Sequence, residues 1–276
     1  MDACDALVVG AGPAGLAAAV YLARFRRNAI VLNGGRSRAS WIPKSHNTPG
    51  FPHGVAGDEL LARLICQALE FGVEIRQTRA ESVQHSATGF TVSTFYGAIH
   101  ARTVLLATGV VDRLPNIPGI EEGVRRGLVR MCPICDAFEA TGKRLAVLGD
   151  GDLAIREAEF LSNYSEEVTV IGQSEGQLRL KDATIEWVSP DGKTARTFDH
   201  LYLALGCDVQ AALAVDCGAA TDPQNNLVVD GHQMTSVTGL YAAGDVVLGL
   251  NQIAVATGEA ARAATAMHNL LRTGAP

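Results

Sequence analysis

Short, unbroken apolar runs that end in glycine set the rhythm of this chain. Residues 6–9 (Ala-Leu-Val-Val) and 29–32 (Ala-Ile-Val-Leu) are continuous rather than alternating, as in strands covered on both faces. Residues 16–25, rich in alanine and leucine, predict a helix between them and complete a βαβ unit. Residues 38–57 are rich in Pro, Gly, Ser, His and Asn and predict loop. A helix over 58–71 follows, with Leu61, Leu64, Ile65 and Ala68 on its apolar face and Gly72 at its end. Residues 73–76 predict a strand, 90–95 and 98–102 a hairpin about Gly97, and 104–107 a buried strand running into Thr108-Gly109.

After Pro115 and Pro118, which mark a linker, the pattern repeats: strand 144–148, a turn from Gly149, helix 154–163, strand 167–171. Residues 172–205 carry no long helical pattern and predict short strands, among them 184–188 and 201–205. A strand over 238–243 leads into Gly244-Asp245, and a last helix spans 252–272. Two βαβ patterns, with a C-terminal part separated from its partner by an insertion, predict an α/β protein of two domains joined by two chain crossings. The expected division is 1–113 with 231–276, and 114–230.

Composition narrows the class. Of 276 residues, 47% are hydrophobic and 19% charged, which excludes a disordered chain. The net charge of −6 argues against a nucleic-acid partner, whose binding face would be basic. No apolar run approaches the roughly 18 residues of a membrane span. The acidic start, with Asp2 and Asp5 leading into an apolar strand, shows no secretory pattern, so a cytoplasmic location is expected. Of six cysteines, Cys4, Cys66, Cys207 and Cys217 read as small core residues. Only Cys132 and Cys135 have a spacing with chemical meaning.

Four motifs carry candidate chemistry. In Gly10-Ala11-Gly12-Pro13-Ala14-Gly15, Gly10 permits a tight turn, Gly12 lets a diphosphate approach the backbone, and Gly15 allows close helix–strand packing. The helix N-terminus then offers free N–H groups to phosphates. Asn33 stands where a ribose-binding acid often ends the second strand. In Cys132-Pro133-Ile134-Cys135-Asp136, two thiols at a turn entering a helix suit a redox disulfide, the helix end favours a thiolate, and Asp136 places a proton donor and acceptor beside them. Two inert thiols are the bland alternative; a zinc site lacks its further ligands. Gly244-Asp245, after a buried strand, can accept bonds from ligand hydroxyls, and Asn251-Gln252-Ile253 opens the last helix. Gly149-Asp150-Gly151-Asp152 has the form of a second dinucleotide loop, but puts two negative charges where a diphosphate would lie. Gly172-Gln173-Ser174-Glu175, after the next strand, offers no cation for a 2′-phosphate. The segment fits a structural βαβ without nucleotide as well as it fits a working site. His85, His100 and His200 read as surface residues; His46, in the Pro/Gly loop, lies where it can approach a cofactor.

Together these pieces resemble the low-molecular-weight thioredoxin reductases. Residues 8–15 look like the family's FAD diphosphate loop, Asn47-Thr48-Pro49-Gly50-Phe51 like the loop whose Asn reaches the flavin, and Ala107-Thr108-Gly109 like its ATG turn. Cys132-Pro133-Ile134-Cys135-Asp136 resembles its redox centre, and Ala243-Gly244-Asp245-Val246 with Gln252-Ile253 its ribityl and isoalloxazine site. With Ser45-His46-Asn47, the match is closer to a Cys-Pro-x-Cys-Asp subgroup that includes diflavin-linked disulfide oxidoreductases.

The resemblance implies a two-domain, Rossmann-like FAD/NAD(P)-binding fold whose second domain is reduced. It implies an FAD-dependent thiol–disulfide oxidoreductase that exchanges two electrons between FAD and the Cys132–Cys135 pair. Cys135 would face the flavin, Cys132 would exchange with substrate, and Asp136 would complete the catalytic set. The cofactor set it implies is Gly10, Gly12, Pro13, Ala14, Gly15, Asn33, Gly34, Arg36, Asn47, Val83, Thr108, Gly109, Gly244, Asp245, Val246, Gln252 and Ile253. Residues 1–113 and 231–276 would bind FAD. A thioredoxin-like protein or a small dithiol or disulfide is the expected partner, in a homodimer. Ordinary use of NADPH is in doubt. The alternatives are a dithiol oxidase that passes electrons to oxygen, a quinone or a second flavin, and a flavin redox sensor without turnover.

Overall fold

A computed structural model describes residues 2–274, and the chain divides into two compact units. The first contains the chain up to Ser40, Asp58–Val111 and the chain from Val209 onward; the second contains Trp41–Gly57 and Asp112–Asp208.

The first unit is built on a seven-stranded sheet. Strands Glu74–Arg76, Ala29–Leu32, Asp2–Val9 and Gly97–Leu106 lie parallel in that order, and Leu240–Ala242 joins the last of them in parallel. The first strand explains its own unbroken apolar run. Ala6 and Val8 point into one core, with Leu16, Ala19, Leu105, Ala260 and Met267, while Leu7 and Val9 point into another, with Val83, Phe90, Leu106 and Leu227. Helices Pro13–Arg24 and Ile253–Thr273 supply the first of these layers.

Two predicted pieces, 98–102 and 104–107, form one strand, Gly97–Leu106. Its first half pairs antiparallel with Gly89–Thr94 and its second half parallel with Leu240–Ala242. Thr103, between them, is buried and donates its hydroxyl to the Asp5 carbonyl at 3.0 Å, so the polar residue does not interrupt the strand. The first helix begins at Pro13 rather than at residue 16, because proline suits the first helical position and Gly12 caps it.

In the second unit, strands Val168–Ile171, Leu145–Leu148, His200–Leu203 and Val129–Arg130 form a parallel sheet in that order. Helix Asp152–Leu161 connects the first two in space. The return from Ile171 to His200 is a three-stranded antiparallel meander, Gln177–Leu180, Ile185–Val188 and Ala195–Phe198, with no helix in it.

The unit boundaries differ from the sequence expectation at residues 41–57, 112–113 and 209–230. Residues 209–230 join the first unit, because Ala211, Ala214, Ala219 and Leu227 complete its core. A short helix there, Ala212–Asp216, had no periodic signal. Residues 41–57 join the second unit; Trp41 packs into its core and Ser45 and Val55 exchange both backbone hydrogen bonds.

Candidate active site

In the first unit, the glycine loop has the backbone a diphosphate site needs. Gly10 has φ 114°, and a Cβ there would overlap the Ala107 carbonyl, while one at Gly15 would overlap the Gly10 carbonyl. No side chain caps the helix that starts at Pro13, so its first N–H groups keep their donors for a ligand. Gly244 lies against Ala14 of this loop and donates its N–H to Glu259 at 2.8 Å. The neighbouring Asp245 is paired with Arg38 at 2.9 Å, both half-buried. Thr108 and Gly109 are tied to Gln210, the hydroxyl of Thr108 donating to its carbonyl at 2.6 Å and its N–H donating to Gly109 at 2.9 Å. Asn33 is half-buried at the end of the second strand, whereas Gly34 and Arg36 are exposed beyond it. Gln252 caps the last helix ahead of Ile253, and Val246 is buried behind Asp245. Val83 keeps its side chain in the core, so only its backbone is open to a ligand. Ser37, Arg38 and Glu259 complete this loop cluster; neither apolar periodicity nor motif spacing marks them.

In the second unit, Cys132 and Cys135 form a disulfide. Cys132 caps the segment Pro133–Asp136, a single helical turn, and its carbonyl accepts the Cys135 N–H at 3.0 Å. The expected stabilisation of a thiolate by a helix end is therefore small, since one turn carries little macrodipole. Fixed charges stand near instead. The Asp136 carboxylate accepts the Tyr202 hydroxyl at 2.9 Å on one oxygen and pairs with Arg130 at 3.1 Å through the other. Arg130 also donates to the Asp136 carbonyl at 3.1 Å. Burial raises the Asp136 pKa, and the Arg130 charge opposes that rise.

His200 is half-buried rather than a surface residue. Its Nδ1 lies 3.0 Å from the Gly127 carbonyl and its Nε2 3.4 Å from Arg130. Burial, then the Arg130 charge, push its pKa down to about 4, so the ring is neutral, Nδ1–H donates to Gly127 and Nε2 accepts from Arg130. Asn47 groups with this unit, 3.5 Å from the Ile134 carbonyl, and His46 stands 3.9 Å from Glu139. His85 is exposed and His100 half-buried. Of the remaining cysteines, Cys4 is buried in the core and half-buried Cys217 packs against it, whereas Cys207 is half-buried and Cys66 is exposed on its helix.

The turn after the strand Val168–Ile171 is bonded to acids, one of them from the second glycine loop. Asp150 accepts the Gln173 backbone N–H at 3.3 Å and its side-chain amide at 2.9 Å. Glu175 accepts the Gly172 N–H at 3.1 Å.

Residues 4–189 and 179–260 match the family described as pyridine nucleotide-disulphide oxidoreductase. The thioredoxin reductase of Treponema pallidum is 30% identical over 304 residues, covering 98% of this chain and 97% of that one. A bifunctional thioredoxin reductase/thioredoxin of Mycobacterium leprae is 31% identical; this chain spans 60% of its length. Among solved structures, thioredoxin reductase from Streptococcus pyogenes superposes with a TM-score of 0.91 at 25% identity, covering 98% of this chain and 99% of that one. The glycine cradle and the Cys-x-x-Cys disulfide thus sit on a two-domain Rossmann-like frame, and the chain belongs to the pyridine nucleotide-disulphide oxidoreductase family. Within that family it is thioredoxin reductase-like, a flavin-dependent disulfide oxidoreductase.

Proposed function

We propose that this enzyme exchanges electrons between FAD and a thioredoxin-like protein or small disulfide through Cys132 and Cys135, and that NADPH is a poor donor to it. The observation that carries the reading is the Cys132–Cys135 disulfide adjoining the anchored Asp136 carboxylate. The residues of the first unit fit FAD. The Gly10–Gly15 loop and the following helix end offer the diphosphate unclaimed donors, and Asp245 offers the ribityl hydroxyls an acceptor. Asn33, Gly34, Arg36, the Val83 backbone, Thr108, Gly109, Val246, Gln252 and Ile253 would complete the set. Bound FAD supplies two-electron redox chemistry with a dithiol.

The chain's own groups do the rest. With the pair reduced, the Cys132 thiolate attacks a substrate disulfide and releases one substrate thiol. The Cys135 thiolate then attacks the mixed disulfide, re-forming Cys132–Cys135 and releasing the second thiol. Two electrons pass to the substrate, and Asp136 takes and returns the thiol proton.

The doubt about NADPH rests on the second unit. A 2′-phosphate carries close to two negative charges. Asp150 and Asp152 lie in the glycine loop that would receive the diphosphate, and the N–H groups of Gly172 and Gln173, after the next strand, are already bonded to Glu175 and Asp150. This favours, as a second reading, a dithiol oxidase that takes electrons from thiols and passes them to oxygen, a quinone or a second flavin.

Anaerobic titration of the FAD-loaded protein with NADPH, NADH and dithiothreitol, following flavin absorbance, tests both readings. Bleaching by dithiothreitol that is lost in C132S and C135S supports the thiol pair as the redox partner. A protein that cannot be reconstituted with FAD ends the proposal, and fast bleaching by micromolar NADPH ends its second half.

A further inference from the structure

We infer that Arg130 and Tyr202 are positioning residues for the redox centre: they clamp the two oxygens of the Asp136 carboxylate, and His200 in turn fixes Arg130. The inference rests on the reading of Asp136 as the proton donor and acceptor of the thiol pair. Each link is a separate contact. Tyr202 donates to one carboxylate oxygen at 2.9 Å, and Arg130 pairs with the other at 3.1 Å while holding the Asp136 carbonyl at 3.1 Å. A carboxylate bonded on one oxygen can still turn about its Cα–Cβ and Cβ–Cγ bonds. Bonded on both, and with its own backbone carbonyl held by the same guanidinium, it has one orientation left.

The donors come from parts of the chain that are rigid for other reasons. Arg130 ends the short strand Val129–Arg130, which pairs with His200–Leu203, so Arg130 and Tyr202 are register partners. Tyr202 is wholly buried, and burial followed by the nearby carboxylate raises its pKa, so it remains an O–H donor. Two residues earlier on the same strand, His200 is neutral; its Nε2 accepts from Arg130 while its Nδ1–H is held by Gly127. The guanidinium is thus held toward Asp136 by His200, with an exposure of 13% against 24% for the carboxylate.

The charges that face Asp136 are few. Arg130 lowers its pKa, Glu139 on the following turn raises it, and the Tyr202 hydroxyl bond lowers it. The helix packed against this turn, Asp152–Leu161, adds no charge that shifts Asp136. The clamp therefore has a defined electrostatic sign. Removing Arg130 leaves a half-buried carboxylate without its cation and drives it toward the protonated acid. Removing the Tyr202 hydroxyl acts in the same direction, more weakly, because a neutral donor stabilises a carboxylate less than a cation does.

The experiment follows the Asp136 carboxyl directly. In the FAD-loaded protein with ¹³C-labelled aspartate, its NMR resonance is assigned by its loss in D136N and titrated in wild type, R130M, R130K and Y202F. Melting temperature and the pH profile of dithiothreitol reduction are recorded alongside. The expected result is an upward shift of the Asp136 titration by at least one pH unit in R130M, a smaller upward shift in Y202F, and return toward wild type in R130K. The acid limb of the reduction profile moves with it. A lower melting temperature with an unmoved titration in both R130M and Y202F overturns the inference, since the residues would then be structural only. If R130M does not fold, Y202F decides by the same criterion. A reduction profile unchanged in D136N instead overturns the assigned role of Asp136, and is recognised separately because it leaves the titration shifts intact.

Discussion

At the scale of single residues, His200 and Asp199 sit side by side yet respond to acid in different windows. His200 has its pKa pushed down from 6.5 to about 4, so the unfolded chain binds its proton first. The stability lost as pH falls from about 6.5 to about 4 amounts to about 3 kcal/mol. H200Q, which cannot charge, should lose less stability over that interval, as measured by urea unfolding at several pH values. Asp199 is different: hydrogen bonds from Arg144 hold its pKa down at about 2. Its contribution is complete above pH 4 and is lost as pH falls toward 2. Because the pair is partly exposed, D199N should cost only about 1 kcal/mol at neutral pH, after allowance for screening. The same two titrations should therefore appear as separate steps in a stability–pH curve.

At the scale of elements, helix Asp152–Leu161 carries an unresolved cost. Ala154 and Leu161 face the core, and Glu157, three residues after the first and four before the second, shares that face. One of its carboxylate oxygens is buried without a hydrogen-bond partner, and burial raises its pKa to about 7. A raised pKa means stability is complete below about 4.5 and is lost as pH rises through 7. E157Q should thus be more stable than wild type by about 3 kcal/mol at pH 8 and equal to it at pH 4, by thermal or denaturant melts. On the other βαβ unit, Gly15→Ala would force a methyl into the Gly10 carbonyl. We expect at least a tenfold loss in FAD affinity on reconstitution, or about 1.4 kcal/mol.

At the scale of the whole molecule, the two βαβ units differ in the charge around their loops. Both helices start without a side-chain cap, but the second loop carries Asp150 and Asp152, and the N–H groups of Gly172 and Gln173, after the next strand, are bonded to Glu175 and Asp150. The double variant D150N/E175R removes two negative charges and adds one positive. It should increase the rate of anaerobic flavin bleaching by NADPH at least tenfold and respond more strongly to salt than wild type. Equal rates in the two proteins would show that the acids do not govern nucleotide use.

The local pattern by itself determined the βαβ units, the glycine loop at Gly10, the Gly244-Asp245 strand end and the Cys132–Cys135 spacing. These are legible because each depends on neighbours within a few positions: an apolar run buried on both faces, a turn only glycine can make, a helix capped at Gly12. What the pattern did not contain was set by packing across long separations. Residues 209–230 look like insertion until Ala211 and Ala214 are seen to fill the first core, and Cys66 looks like core until its helix turns it outward. Nothing near Asp136 in sequence announces Tyr202, 66 positions away, or the neutral His200 that holds Arg130. Those partners were chosen by strand register, because only the pairing of Val129–Arg130 with His200–Leu203 brings a cation, a phenol and a carboxylate to one place.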